Sequence, residues 1–169
     1  QPGHHRGAIS WLVCASLFFY GWWNPAYLGF LVASIAFNYV TGISLSRKPS
    51  KSILVVGIII NLTLIVYFKY ANFFVESFNV PLNGSIYLEN IFLPLAISFF
   101  TFQQIAYLVD TYRGLIKENS FLHYCLFVTF FPQLIAGPIV HHKEMLPQFT
   151  RDFIYKLKAT NLSVGITIF

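Results

Sequence analysis

Charge is what this sequence has least of. Of its 169 residues only 10% are Asp, Glu, Lys or Arg, while 56% are hydrophobic and 19% aromatic. Mean hydropathy is +0.63. Soluble domains carry roughly 25% charged residues, so a water-soluble fold of this size could not clothe its surface with so few. The same apolar content excludes a disordered chain. Cysteine is almost as scarce, with two in the whole chain, which excludes a disulfide-stapled secreted module. The six acidic residues form no pair within an apolar run, so a glycosidase carboxylate dyad is missing. There is no G-x-S-x-G elbow, no Walker loop and no G-x-G-x-x-G fingerprint. What remains is an integral membrane protein.

Where the rare charges fall supports that reading. The net charge is +5, with eleven Lys and Arg. They sit between apolar runs: Arg6, then Arg47, Lys48 and Lys51, then Arg113 and Lys117, then Lys143, Arg151, Lys156 and Lys158. Lys69 alone lies inside a run, near its end, where a long side chain can snorkel to the interface. This is the charge pattern of membrane topology, not of phosphate binding, and no nucleic-acid partner is expected. Cys14 and Cys125 lie in separate apolar runs without metal-ligand spacing and read as small hydrophobes. His141 and His142 are adjacent, point about 100° apart on a helix and have no third ligand, so no metal site is expected.

A crossing helix needs about 20 apolar residues. Four full spans are expected: Ala8 to Trp23, Ala26 to Leu45, Ser52 to Phe74 and Ile91 to Val109. Between the third and fourth, Glu76 to Asn90 reads as a polar loop opposite the basic cluster. Phe121 to Val140 is a fifth apolar run, and Asn161 to Phe169 begins a further helix. With Arg47–Lys51 cytoplasmic, a crossing at Phe121–Val140 would put Lys143 and the basic residues after it outside, against the positive-inside rule. Pro132, Gly137 and Pro138 interrupt that run, so it is expected to be re-entrant, dipping in and returning to the cytoplasmic side. The predicted fold is all-α, a polytopic transmembrane bundle in one partial domain over residues 1–169.

Polar groups inside apolar runs are costly and therefore informative. Gln103, Gln104, Tyr107, Asp110 and Thr111 share a sector of about 120° on an ideal helix, with Phe99, Phe102, Ile105, Ala106 and Val109 opposite. That face is expected to look into the bundle, either lining a polar passage or bonding to neighbouring helices. Asn38 and Asn61 are expected to hold helices together. Gln133, beside Pro132 and before Gly137-Pro138, is a further candidate for lining a cavity.

Four stretches carry a family resemblance. Phe130–Pro138 reads FFPQLIAGP, with HHKEMLPQF reaching Phe149; Ile97–Gly114 reads ISFFTFQQIAYLVDTYRG. Ala15–Trp23 reads ASLFFYGWW, and Val66–Phe74 reads VYFKYANFF. Taken in chain order they resemble the membrane-bound O-acyltransferase family, in its bacterial alginate O-acetyltransferase-like branch. The resemblance implies transfer of an acyl group, usually acetyl, to hydroxyls of an exported polysaccharide such as alginate. It also implies a cytoplasmic acyl donor (acetyl-CoA or another thioester), no bound cofactor, a partner acetyltransferase protein outside the membrane, and residence in the cell's inner membrane.

The family's catalytic His lies in a W-R-x-W-H motif that this sequence does not contain, so no catalytic residue is assigned here. The chain is expected to be the N-terminal half of such an enzyme, inactive by itself. Without the resemblance, the polar face and broken segment would equally suit a transporter subunit for a polar or anionic solute, or a non-catalytic membrane scaffold.

Overall fold

The computed structural model describes residues 3–82, 94, 96–116 and 120–130, with the single positions 159, 163 and 167. Among the described residues there are five α-helices and no strand: α1 Gly3–Trp23, α2 Pro25–Arg47, α3 Lys51–Leu82, α4 Ile97–Tyr112 and α5 Phe121–Thr129. The all-α expectation holds.

Local chemistry sets the turns. The Asn24 side chain accepts a hydrogen bond from Ala26 N at 2.9 Å, and Pro25 occupies the first helical position, where its missing N–H costs nothing. This tight junction brings α2 back along α1, with Gly21 facing Leu28. At the other end of α2 the extended Lys48 caps the helix, its N–H bonding Ser44 O at 3.0 Å, and α3 begins at Lys51. Asn38 then meets Asn61, so α2 and α3 are antiparallel. α4 runs in the same direction as α2, since Gln104 reaches Asn38 while Tyr107 reaches Gly42, further along both. α5 packs on α1, α2 and α4.

This alternation gathers Arg6, Arg47, Lys48, Lys51 and Arg113 at one end of the bundle. The other end carries exposed Trp22, Tyr67, Tyr70 and Phe73, a cluster of the kind that forms aromatic belts at membrane–water boundaries. Lys69 Nζ lies there, 5.7 Å from the Tyr70 ring centroid. Pro25–Arg47 and the Lys51–Ala71 part of α3 are long and apolar enough to cross a membrane. Much of α3 between Ile53 and Val66 is exposed and apolar, which suits hydrocarbon rather than water.

Two expectations about element ends are corrected. Ile91–Val109 is not one continuous helix: α4 begins only at Ile97 and runs on to Tyr112. Ala96 is left-handed, with φ 55°, and follows two residues after Pro94, which has no N–H to give. At 16 residues α4 is about 24 Å long, short of the roughly 30 Å hydrocarbon core, so the described residues do not show four full spans as uninterrupted helices. Nor is all of Glu76–Asn90 a loop, because α3 continues to Leu82. Nothing before Pro81 breaks it, and 32 residues, about 48 Å, exceed a bilayer core, so its last turns extend beyond.

The fifth run is helical from Phe121 to Thr129 and ends at Phe130. Pro132 could not donate the bond that would continue it to Val128. The expected re-entrant segment from residue 131 on, with Gln133, Gly137 and Pro138, lies outside the described residues. Of the final run, Ser163 and Thr167 are helical, with Thr167 Oγ1 donating to Ser163 O at 2.7 Å.

One contact fixes how closely α2 and α4 approach. A Cβ built on Gly42 would collide with Cε1 of the Tyr107 ring and lie 2.6 Å from its hydroxyl. Gly29, in the same helix, has open space around it. Gly42→Ala should therefore destabilise the full-length protein by about 1–3 kcal/mol, whereas Gly29→Ala should be neutral or gain up to about 1 kcal/mol. Thermal unfolding of both variants in detergent checks this difference.

Candidate functional site

The inner face of α4 is the polar centre of the bundle. Thr101, Gln103, Gln104, Tyr107, Asp110 and Thr111 are all buried, while Phe102 is exposed and Phe99, Ile105, Ala106 and Val109 are partly covered. The helical period thus placed Gln103, Gln104, Tyr107 and Asp110 on one inward face as expected. Gln133, Gly137 and Pro138 lie outside the described residues and are not brought into this face.

At its middle, three helices are joined by side-chain amides. Asn38 on α2 and Asn61 on α3 exchange hydrogen bonds, Asn61 Nδ2 to Asn38 Oδ1 at 2.7 Å and Asn38 Nδ2 to Asn61 Oδ1 at 3.1 Å. Each also donates back to its own helix: Asn38 Nδ2 to Ser34 O at 3.0 Å and Asn61 Nδ2 to Gly57 O at 2.8 Å. Backbone carbonyls only accept, so these two contacts decide which way each amide faces. Gln104 on α4 must then present its oxygen. Gln104 Oε1 accepts from Asn38 Nδ2 at 2.9 Å and from Ser34 Oγ at 2.7 Å. Asn38 Nδ2 has two hydrogens for three acceptors, so one hydrogen is shared.

Aromatic layers close this network on both sides. Toward the aromatic end, the Phe30 ring lies 4.8 Å from Phe68 and 6.4 Å from Phe100. Toward the basic end, Tyr124 on α5 meets Tyr107 at 4.4 Å and Tyr39 at 5.8 Å. Apolar rings above and below keep the surroundings of these amides low in dielectric, which strengthens their hydrogen bonds and raises the cost of leaving any polar atom unpaired. The threonine hydroxyls avoid that cost locally: Thr101, Thr111 and Thr129 each donate to the carbonyl four residues earlier.

Four buried polar atoms have no such partner among the described residues: Gln104 Nε2, Gln103 Oε1, Tyr124 OH and Ser16 Oγ. Each such atom costs about 1–3 kcal/mol unless water or a ligand satisfies it. The neighbouring glutamines therefore differ. Gln104 has both lone pairs engaged in holding helices and a free donor; Gln103 offers a free acceptor. Ser34 and Tyr124 were missed by sequence reasoning. Ser34 lies one turn before Asn38 on the same α2 face, a signal that could have found it, whereas only the packing of α5 reveals Tyr124. Among the described residues no three His, Cys, Asp or Glu side chains come together as metal ligands. Cys14 is exposed and Cys125 buried, and both are free.

Gln104→Leu should cost about 0.6–2 kcal/mol, because it removes the acceptor shared by Ser34 and Asn38. Gln103→Leu removes an unpaired acceptor and should leave stability unchanged or raised. Unfolding midpoints of the two variants, compared side by side, test this assignment.

Comparison with known proteins gives a consistent group. The chain is 44% identical to the peptidoglycan O-acetyltransferase of Helicobacter pylori, over 94% of its own length and 36% of the relative's. It is 34% identical to the probable alginate O-acetylase AlgI of Pseudomonas syringae pv. tomato, over 82% of this chain and 29% of that protein. With the probable alginate O-acetylase AlgI of Pseudomonas aeruginosa it shares 35% identity, over 82% of this chain and 28% of that one. The chain thus spans about a third of the length of the curated relatives it matches. No protein-family profile and no solved structure matches it.

Proposed function

This chain belongs to the membrane-bound O-acyltransferase family, with the bacterial peptidoglycan and alginate O-acetyltransferases, and from that premise we infer that it is a segment of an enzyme that acetylates hydroxyls of a glycan outside the cytoplasmic membrane. The observation that carries the reading is the 44% identity sustained over 94% of the chain. The relatives' names supply the reaction class and two glycans, peptidoglycan and alginate. The 44% match is to the protein named for peptidoglycan, against 34% and 35% for two named for alginate, which favours peptidoglycan as the first acceptor to test.

In this reading the protein is multi-pass in the inner membrane, with the Arg47, Lys48, Lys51 and Arg113 end in the cytoplasm. Pro94 outside the helix and the left-handed Ala96 mark a break before α4, and within a bilayer such backbone must be surrounded by protein or a water-filled cavity. An acetyl thioester such as acetyl-CoA is the donor on the cytoplasmic side, and a partner acetyltransferase completes transfer outside. Over the whole transfer the thioester C–S bond is broken and a glycan C–O ester bond is formed, the acetyl group passing between the two faces and on through the partner. The proton lost by the glycan hydroxyl balances the one gained by the released thiolate. The inner face of α4 supports a passage between the two sides. Gln103 Oε1 and Tyr124 OH are polar, buried and without a hydrogen-bond partner among the described residues, and so are positioned to bond with water or a passing polar group. Gln133, Gly137 and Pro138 belong to the same proposal as the lining of the segment that follows α5.

Deleting the intact gene should abolish base-releasable acetate from either the purified peptidoglycan or the purified exopolysaccharide, and complementation should restore it. Unchanged acetate in both would overturn the reading. Complementation with Gln103→Leu should restore less acetate than wild type at equal protein abundance, which separates a passage residue from a merely buried one.

A further inference from the structure

The α2–α3 hairpin carries an open trough that the acetyl-transfer reading does not use. Phe37 and Thr41 of α2 and Ser52, Ile53, Val56 and Gly57 of α3 line a depression of about 250 Å³. A second hollow of about 360 Å³ shares Ser52 and Val56 and adds Lys51 and Val55. The floor is closed tightly. A Cβ on Gly57 would lie 3.0 Å from Leu108 Cδ1 and 3.3 Å from Thr41 Cγ2, so the trough does not open into the core. Its walls are exposed: Val55 is 43% and Val56 55% accessible.

Charge distinguishes one end of the trough from the other. Its mouth lies at the turn between α2 and α3, where Arg47, Lys48 and Lys51 are all exposed. Among the described residues none of the three has an acidic partner. The lining then descends away from that turn: Thr41 and Phe37 lie six and ten residues before Arg47, about 9 and 15 Å along the helix. The hairpin therefore offers cations at the level of lipid headgroups and an apolar channel at the level of acyl chains. Water satisfies only the first part and hydrocarbon only the second. A molecule with an anionic head and a long apolar tail satisfies both.

We propose that one anionic glycerophospholipid of the bilayer docks in this trough, its phosphate beside Arg47, Lys48 and Lys51 and one acyl chain along Thr41, Val56 and Gly57. The proposal rests on the membrane-spanning reading above but not on acetyl transfer. It adds to that reading a fixed lipid that seats the α2–α3 hairpin at the cytoplasmic face.

Native mass spectrometry of the full-length protein in nanodiscs tests it, with phosphatidylglycerol and phosphatidylcholine at equal content. The expected result is a retained phosphatidylglycerol, weakened roughly fivefold for each charge removed in Lys48→Gln and Lys51→Gln. Val56→Trp should expel the lipid by filling the trough, and Lys69→Gln, at the opposite end, should change nothing. Equal retention of both lipids by the wild type, or full retention in both the mouth and the trough variants, would overturn the proposal. So would a Val56→Cys variant that resists a membrane-soluble maleimide in lipid-free detergent, because another part of the protein would then cover the trough. Acetate release is not a readout here, so the two readings fail independently.

Discussion

Three side-chain amides in an apolar interior are the constraint on which the rest of the bundle depends. Lipid tails are as apolar as leucine, so helices in a bilayer gain nothing by burying hydrophobic surface against one another. Specific polar contacts and close packing must decide which faces meet. Asn38, Asn61 and Gln104 come from three helices far apart in sequence, and their bonds can form only when all three are in register. Sliding α3 by one residue turns Asn61 about 100° away from Asn38 and leaves both amides unpaired. The close approach of Gly42 to Tyr107 lies about one turn toward the basic end and requires the same register of α2 and α4.

That register also places what chemistry the segment has. Gln104 is held by Ser34 and Asn38, so the preceding residue, Gln103, is directed with little freedom. Rotating α4 to satisfy Gln103 would dismantle the amide network. The unpaired Gln103 oxygen is thus a consequence of the helix contact. The same argument covers Tyr124, whose ring is engaged by Tyr39 and Tyr107 while its hydroxyl has no hydrogen-bond partner among the described residues. Structural amides are compatible with the proposed polar passage because neighbouring residues on one helix face can divide the two roles.

Much of this was legible in the sequence, and the reasons are physical. Scarce charge named the solvent, and a helix period of about 100° put Gln103, Gln104, Tyr107 and Asp110 on one face. Asn38 and Asn61 were readable as helix-holding residues because an amide at that depth has few alternatives. What was not legible depends on contacts between elements. Hydropathy cannot tell an apolar run from an unbroken helix, so the left-handed Ala96 after Pro94 was missed and the fourth span was drawn six residues too early. A polar composition at Glu76–Asn90 suggested a loop, whereas helix continues to Leu82 because nothing earlier stops it. Pairing of Gln104 with Ser34 spans 70 positions and has no periodic trace in the sequence.

The central claim is that Asn38 and Asn61 act as one unit rather than as two separately buried amides. A double-mutant cycle with Asn38→Val, Asn61→Val and the combined variant, read by unfolding of the full-length protein in detergent, measures it directly. The account predicts non-additivity, the double variant costing less than the sum of the singles by about 0.6–1.7 kcal/mol. Strict additivity would contradict it.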